Sequence, residues 1–182
     1  MKKYLPIFLY GAIIIACGAF LLISKDSSFS MTKWSLGTML TAGAALAFVV
    51  AFSRKRTQVQ FAYHEMHALA MAVYGVSVML FCNSFEQLIS FTSLLLIFYT
   101  FSEIIFGNWL FNLGRTVIYK ILIVRVLLGL AVGIGTVVAM TQPELTIPIF
   151  GALFILVGIN IVLYVPVLKG TQLVANAEAL PE

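Results

Sequence analysis

Residues 95–111 read LLIFYTFSEIIFGNWLF, an apolar and aromatic run that holds one charged residue, Glu103. The run extends upstream to residue 87, so as a helix it is long enough to cross the ~30 Å hydrocarbon core of a bilayer. A carboxylate inside such a helix is costly to bury, and it marks either a structural contact or a mechanism. The segment therefore predicts a membrane helix with an internal charge that must be accounted for.

The composition of the whole chain is that of an integral membrane protein. Of its 182 residues, 62% are hydrophobic and 10% are charged, and the mean hydropathy is +1.06. Soluble domains are about 45–50% apolar and about 25% charged, so this chain has too few polar residues to cover a water-soluble globule. Its net charge of +4 sits in short clusters between apolar runs, as membrane topology requires. We therefore expect the lipid bilayer, and not nucleic acid, as its partner.

Six apolar runs are candidates for membrane helices: 5–24, 34–52, 65–82, 87–111, 118–140 and 145–168. Strands are disfavoured because the runs are continuously apolar and an open sheet edge cannot face lipid. The first run resembles a signal peptide, but its apolar residues continue past Cys17 to Ile23, so we expect it to remain as the first helix. The predicted fold is an all-α polytopic membrane domain over residues 1–169, followed by a short cytoplasmic tail over 170–182.

The basic residues between the runs predict the orientation. One side of the membrane would receive eight of the eleven basic residues, and the other side only Lys25 and Lys33. Because cytoplasmic loops carry an excess of Lys and Arg, both termini are predicted to be cytoplasmic. The eight residues are Lys2, Lys3, Arg54, Lys55, Arg56, Arg115, Lys120 and Lys169.

An internal repeat of about 57 residues relates the six runs. Shifts of 57 and then 58 residues carry Gly18 onto Gly75 and Gly133. The same shifts carry Gly43 onto Thr100 and then onto Gly158. The chain is therefore predicted to be three tandem, parallel helical hairpins, at 5–52, 65–111 and 118–168.

Small residues are expected to form the contacts between helices. Helices in lipid gain no hydrophobic drive by touching, so they associate where small side chains allow close packing. A pore or a ligand that uses these glycines is the alternative. The predicted packing residues are Gly18, Gly43, Gly75, Gly129, Gly133, Gly151 and Gly158.

Glu103 has a candidate partner in Arg125, which lies inside the fifth run. Counted from the predicted cytoplasmic ends of their helices, Glu103 lies ~12 Å deep and Arg125 ~10 Å deep. Each charge shares a helical face with small or polar residues, which predicts that both point into the bundle. We interpret the pair as an intramembrane clasp between the second and third hairpins. The alternatives are a proton or cation site at Glu103, or an Arg125 that reaches the headgroups while Glu103 is protonated.

Other polar residues carry weaker predictions. His64 and His67 share a helical face and could hold a metal, but the chain has no further histidine, so we predict a hydrogen-bonded interfacial His67 and no metal or cofactor. Asn160 is expected to make an interhelical hydrogen bond. Cys17 and Cys82 are expected to be free thiols. No constellation of catalytic residues is apparent, which predicts a protein that is not an enzyme.

The segment QPELTIPIFGALFILVGINIVLY (142–164) resembles a repeat unit of the HdeD-like family of small bacterial inner-membrane proteins. The resemblance rests on a turn with Pro143 that leads into a helix with Gly151, Gly158 and Ile159. The first two hairpin turns lack the proline, and Thr100 replaces the glycine of the second unit. The resemblance implies six transmembrane helices, a plasma-membrane location, a role in acid resistance or envelope stress, and no catalytic residues.

Two classes of function follow from these observations. The first is a non-enzymatic membrane protein that assembles with itself or with other membrane proteins in a stress response. The second is a small transporter or proton-conducting protein that uses Glu103, Arg125 and His67. A conduit needs a continuous polar path across the bilayer, whereas the polar residues of this sequence lie in the predicted cytoplasmic half, which favours the first class.

Overall fold

The computed structural model describes residues 4–23, 28–52, 58–112, 119–142 and 145–167. These residues form six helices and no strand. The helices are α1 (Leu5–Ile23), α2 (Phe29–Phe52), α3 (Gln58–Phe81), α4 (Phe85–Asn112), α5 (Tyr119–Thr141) and α6 (Thr146–Val162). Beyond a turn at Leu163, residues 164–167 are again helical, so the sixth apolar span runs as Thr146–Val167. The prediction of an all-helical membrane protein is confirmed.

Five of the six helices are long and apolar enough to cross a membrane. The exception is α3, whose described apolar part, Glu65–Phe81, is 17 residues long. The predicted tail over 170–182 and Pro143 lie outside the described residues. Of the basic residues that predict the orientation, only Lys33 and Lys120 are described. The orientation and the number of spans therefore stay predictions.

Two helices begin at least five residues earlier than their apolar runs. α2 begins at Phe29 where the apolar run predicts residue 34, and α3 begins at Gln58 where it predicts 65. At α2 the cause is visible, because the Met31 backbone N–H donates to Ser28 Oγ (3.4 Å), an N-cap contact that extends the helix into a polar segment. A hydropathy run marks the lipid-facing length of a helix and not its ends.

The turn between α3 and α4 is short and well bonded. Ser84 caps α4 by accepting the Gln87 N–H (3.3 Å), and the Gln87 side chain reaches back to accept the Asn83 N–H (2.7 Å). This arrangement is close to a capping box. Lys33 Nζ of α2 donates to the Cys82 carbonyl (2.6 Å) and so ties the start of α2 to this turn.

The six helices form a closed ring. Each helix packs against its neighbours in the chain, and α6 closes the ring by packing against α1. The most extensive contacts are α2 with α3, α1 with α6 and α4 with α5. These three interfaces join one predicted hairpin to the next, whereas α3 and α4 of a single hairpin make the least contact of any neighbouring pair.

Glycine pairs explain why the closest packing lies between the predicted hairpins. At the α1–α6 contact, a Cβ placed on Gly158 would lie 2.7 Å from the Gly11 carbonyl oxygen, and one on Gly151 would lie 2.8 Å from that of Gly18. At the α2–α3 contact, a Cβ on Gly75 would lie 2.8 Å from the Gly37 carbonyl oxygen. The backbones touch because no side chain separates them, which is how helices associate in lipid.

The outer surface of the ring is apolar. Ile105, Leu94 and Ile134 are each about two-thirds exposed, and they lie on helices that also carry fully buried side chains. In water such a surface would be an association hazard, but in a bilayer it is the surface that contacts the acyl chains. The charged and hydrogen-bonding side chains of the spans are mostly turned inward, which is the arrangement expected of an integral membrane protein.

Candidate functional site

Glu103 and Arg125 form a buried ion pair between α4 and α5. One terminal nitrogen of Arg125, Nη2, donates to both carboxylate oxygens of Glu103, at 2.9 Å to Oε1 and 3.1 Å to Oε2. Each side chain is 1% exposed. The structure thus brings together the two charges that the sequence places at similar depths.

Small residues on α5 make room for this pair. A Cβ on Gly129, one turn after Arg125, would lie 3.0 Å from Glu103 Cβ. One turn further, a Cβ on Gly133 would lie 2.8 Å from the Thr100 methyl carbon, and Thr100 Oγ1 donates to the Gly129 carbonyl oxygen (3.1 Å). The glycine stripe of α5 therefore lets the backbone of α4 come close enough for Glu103 to reach Arg125.

Asn160 ties the ion pair to α6. Arg125 Nε donates to Asn160 Oδ1 (3.3 Å), while Asn160 Nδ2 donates to the Tyr99 hydroxyl (2.6 Å) and to the Arg125 carbonyl oxygen (3.3 Å). Asn160 is fully buried. The interhelical hydrogen bond expected of Asn160 is confirmed, and the amide joins three helices at one point.

Two aromatic rings flank the guanidinium of Arg125. Its Cζ lies 4.9 Å from the centre of the Tyr164 ring and 5.6 Å from that of Phe106, and the two ring centres are 5.7 Å apart. Cation–π contacts with desolvated guanidinium groups contribute about 2 kcal/mol or more. The rings both stabilise the charge of Arg125 and separate it from lipid.

His67 lies inside the bundle and makes a buried hydrogen bond, as the sequence predicts, whereas its depth in the membrane stays a prediction. Its side chain is 4% exposed, and Nε2 lies 2.6 Å from Ser102 Oγ. Ser102 Oγ also lies 2.8 Å from the Tyr99 carbonyl oxygen, so this hydroxyl has acceptors on both α3 and α4.

A small cavity of about 30 Å³ lies beside His67 at the centre of the ring. Tyr10 of α1, His67 of α3 and Tyr99 of α4 contribute to its walls, which are otherwise mainly apolar. A volume of this size accommodates a single water. Tyr10, His67 and Arg125 occupy equivalent positions of the predicted repeat, and all three are buried.

The described residues offer no cluster of three or more His, Cys, Asp or Glu side chains that could hold a metal. The side chain of His64 lies outside this description. Cys17 and Cys82 are both free thiols, as predicted. Burial at the α3–α4 turn raises the pKa of the Cys82 thiol, which makes it a poor nucleophile.

The sequence indicated the two charges and Asn160 but missed the three aromatic side chains that contact them, and it missed the Ser102 hydroxyl that bonds to His67. Along α4, Glu103 is preceded by Tyr99 and Ser102 and followed by Phe106. On the sixth span, Tyr164 lies one turn after Asn160. The signal available was helical spacing, since residues three and four apart share a face with the charge. That signal is weak in a chain where aromatic residues are frequent on every face.

Comparisons with protein-family models, curated proteins and solved structures give no match for this chain. The geometry of the buried network therefore carries the functional argument. Its hydrogen bonds run between α3, α4, α5 and α6 and end on backbone carbonyls or on one another. An arrangement of this kind can hold helices together.

Proposed function

We propose that this chain is a non-enzymatic integral membrane protein of the HdeD-like, acid-resistance or envelope-stress type, which works by assembling with itself or with other membrane proteins. It would lie in a bacterial inner membrane with both termini in the cytoplasm. The single observation that carries the proposal is that both oxygens of Glu103 are engaged by Arg125. An acid held in this way stabilises a scaffold and is poorly placed to exchange protons.

The energetics support a structural role for the network. A charge near the bilayer centre costs at least about 2.5–3.5 kcal/mol when it is alone. Arg125 offsets this cost for Glu103, while Asn160 and the two aromatic rings do the same for Arg125. The network then ties α4, α5 and α6 together at one point.

The ring supports the proposal of three tandem hairpins. Its three most extensive interfaces join successive hairpins, and they alternate with three less extensive ones. An alternation of this kind is expected when one hairpin unit is repeated three times around an axis. Closure of α6 on α1 would then be the third copy of the contact that α2 makes with α3.

A proton-conducting protein is the alternative, and the central cavity beside His67 favours it. A conduit would need polar groups that continue from this cavity to both membrane faces. Tyr74 and Thr92 form the next buried polar pair, and their hydroxyls lie 2.7 Å apart and bond to each other. Gly18 and Gly151 close the α1–α6 interface by direct backbone contact. These contacts weigh against a continuous path.

A survival assay separates the two functions. Bacteria that produce the chain are expected to survive an acid pulse better than the same cells without it. The double variant Glu103→Gln/Arg125→Gln removes both charges together and leaves neither unpaired, so a scaffold should keep its protective effect. A proton conduit would lose the effect, which would overturn the proposal. The protein level in the membrane is measured in parallel as the control.

A further inference from the structure

A gap with a volume of about 540 Å³ lies between α3 and α4. We name it the α3–α4 cleft. Exposed side chains of both helices border it, so it opens toward the surroundings of the bundle. Its walls include Met66, Val73 and Ser77 of α3 and Phe91, Leu94 and Phe98 of α4. The volume falls in the range of about 300–1,000 Å³ that is usual for small-molecule sites.

The cleft exists because this pair of helices lacks a glycine contact. In the equivalent pairs, a Cβ on Gly43 would touch Ile14 across α1–α2, and a Cβ on Gly135 would lie 2.6 Å from Leu153 across α5–α6. Within the described residues, no glycine of α3 or α4 meets the other helix. Large side chains such as Phe98 stand at the boundary instead, and they hold the two backbones apart.

Two hydrogen bonds fix the separation of α3 and α4. His67 bonds to Ser102 (2.6 Å), and Tyr74, two turns further along α3, bonds to Thr92 (2.7 Å). Both bonds are buried, so they bridge the helices on the inner side of the cleft. Because the Tyr74 hydroxyl is already engaged by Thr92, an occupant of the cleft meets an almost wholly apolar wall.

The shape of the cleft indicates its occupant. Its lining on α3 runs from Met66 to Ser77, about 16 Å along the helix axis at 1.5 Å per residue. A helix of a partner, about 10–12 Å wide, would over that length occupy roughly 1,300–1,900 Å³. That exceeds all the empty space in the cleft and its mouth, which is about 1070 Å³. A single side chain of a partner would leave most of it empty. A straight apolar chain that lies parallel to the helices matches both the length of the cleft and its almost wholly apolar lining.

We propose that the α3–α4 cleft is a binding site for one acyl chain of a bilayer lipid, seated lengthwise between Val73 of α3 and the phenylalanines Phe91 and Phe98 of α4. The bilayer presents such chains parallel to the helices, at the depth to which the cleft opens. A resident chain fills space that neither helix can fill, and it therefore completes the packing of the weakest interface of the ring.

Fluorescence quenching in detergent micelles tests this proposal. In a Trp34→Phe/Trp109→Phe background, Phe98→Trp reports on the cleft, and Phe101→Trp on the same helix reports on an exposed position outside it. Phosphatidylcholine with brominated acyl chains is then titrated into each variant. Quenching of the cleft tryptophan should saturate, with its midpoint at a lipid fraction about threefold or more below that of the control tryptophan. Leu94→Trp is the second cleft reporter should Phe98→Trp not fold.

A filling variant completes the test. Val73→Phe adds bulk inside the cleft, and because Val73 is exposed the fold should be kept. The brominated lipid should then quench the cleft tryptophan with the same midpoint as the control tryptophan. If Val73 is left unchanged and the quenching midpoints of the tryptophans at positions 98 and 101 are equal, the proposal is overturned. Quenching at position 101 with none at position 98 would also overturn it, since the cleft would then be covered by protein. These outcomes are independent of the acid-survival assay, because neither charge of the ion pair is altered.

Discussion

Gly129 lies directly against the side chain of Glu103: a Cβ at Gly129 would be 3.0 Å from Glu103 Cβ. The residue that holds the acid, Arg125, is one turn away on the same helix and meets both carboxylate oxygens of Glu103. Because Gly129 has no side chain, α4 approaches α5 closely enough for Glu103 to reach Arg125. Packing and electrostatics at this site depend on each other.

The ion pair predicts a strong coupling between its two members. Glu103→Gln and Arg125→Gln should each destabilise the protein by about 3–5 kcal/mol, because each leaves a buried charge without its partner. The double variant should recover much of that loss. Melting temperatures of the four proteins in detergent measure the cycle. Additive losses in the double variant would show that the two charges do not stabilise the fold through each other.

Gly129 predicts an effect of side-chain size. Gly129→Leu should destabilise the protein by about 1–3 kcal/mol or more, because the added atoms displace Glu103 and separate α4 from α5. The matched control is Ala131→Leu, on the exposed face of the same helix, which should leave the melting temperature nearly unchanged. Equal effects of the two substitutions would show that α4 and α5 do not meet at Gly129.

The contact that closes the ring between α1 and α6 predicts a similar difference between a buried and an exposed substitution on α6. Gly151→Val should weaken the α1–α6 contact, because a Cβ at this position already lies 2.8 Å from the Gly18 carbonyl oxygen and the two backbones cannot move apart without opening the ring. A loss of about 1–3 kcal/mol is expected. Ala152→Val, one residue along and exposed, is the control. Cross-linking of a cysteine pair at exposed positions of α1 and α6 measures the α1–α6 contact, and it should fall when this contact opens. Unchanged cross-linking in Gly151→Val would contradict this account.

We expect Asn160, although it is uncharged, to stabilise the ion pair. Asn160→Leu removes the acceptor of Arg125 Nε and the donor to the Tyr99 hydroxyl, and a buried group left without its bond costs about 1–3 kcal/mol. The same substitution should cost much less in the Glu103→Gln/Arg125→Gln background, where the guanidinium is absent. Thermal unfolding of the variants measures this difference, and an equal cost in both backgrounds would separate Asn160 from the network.

The lipid environment explains which parts of this structure the sequence could predict. Long apolar runs identify membrane helices because water is excluded from the bilayer core and only a helix satisfies its own backbone there. Glu103 and Arg125 could be paired because charge is rare in such runs and each has a definite depth. His67 could not be placed in the same way, since its depth depends on where α3 begins, and that end is polar.

The sequence by itself determined the class of the protein, its helices and the two charges that must find each other. Only the tertiary structure decided that α6 closes on α1, that Asn160 and two aromatic rings complete the ion pair, and that α3 and α4 are separated by a cleft. The physical reason is that a helix in lipid is apolar on its buried face and on its exposed face alike. Its sequence therefore gives its length and depth, whereas its neighbours are chosen by the fit of small and large side chains between helices.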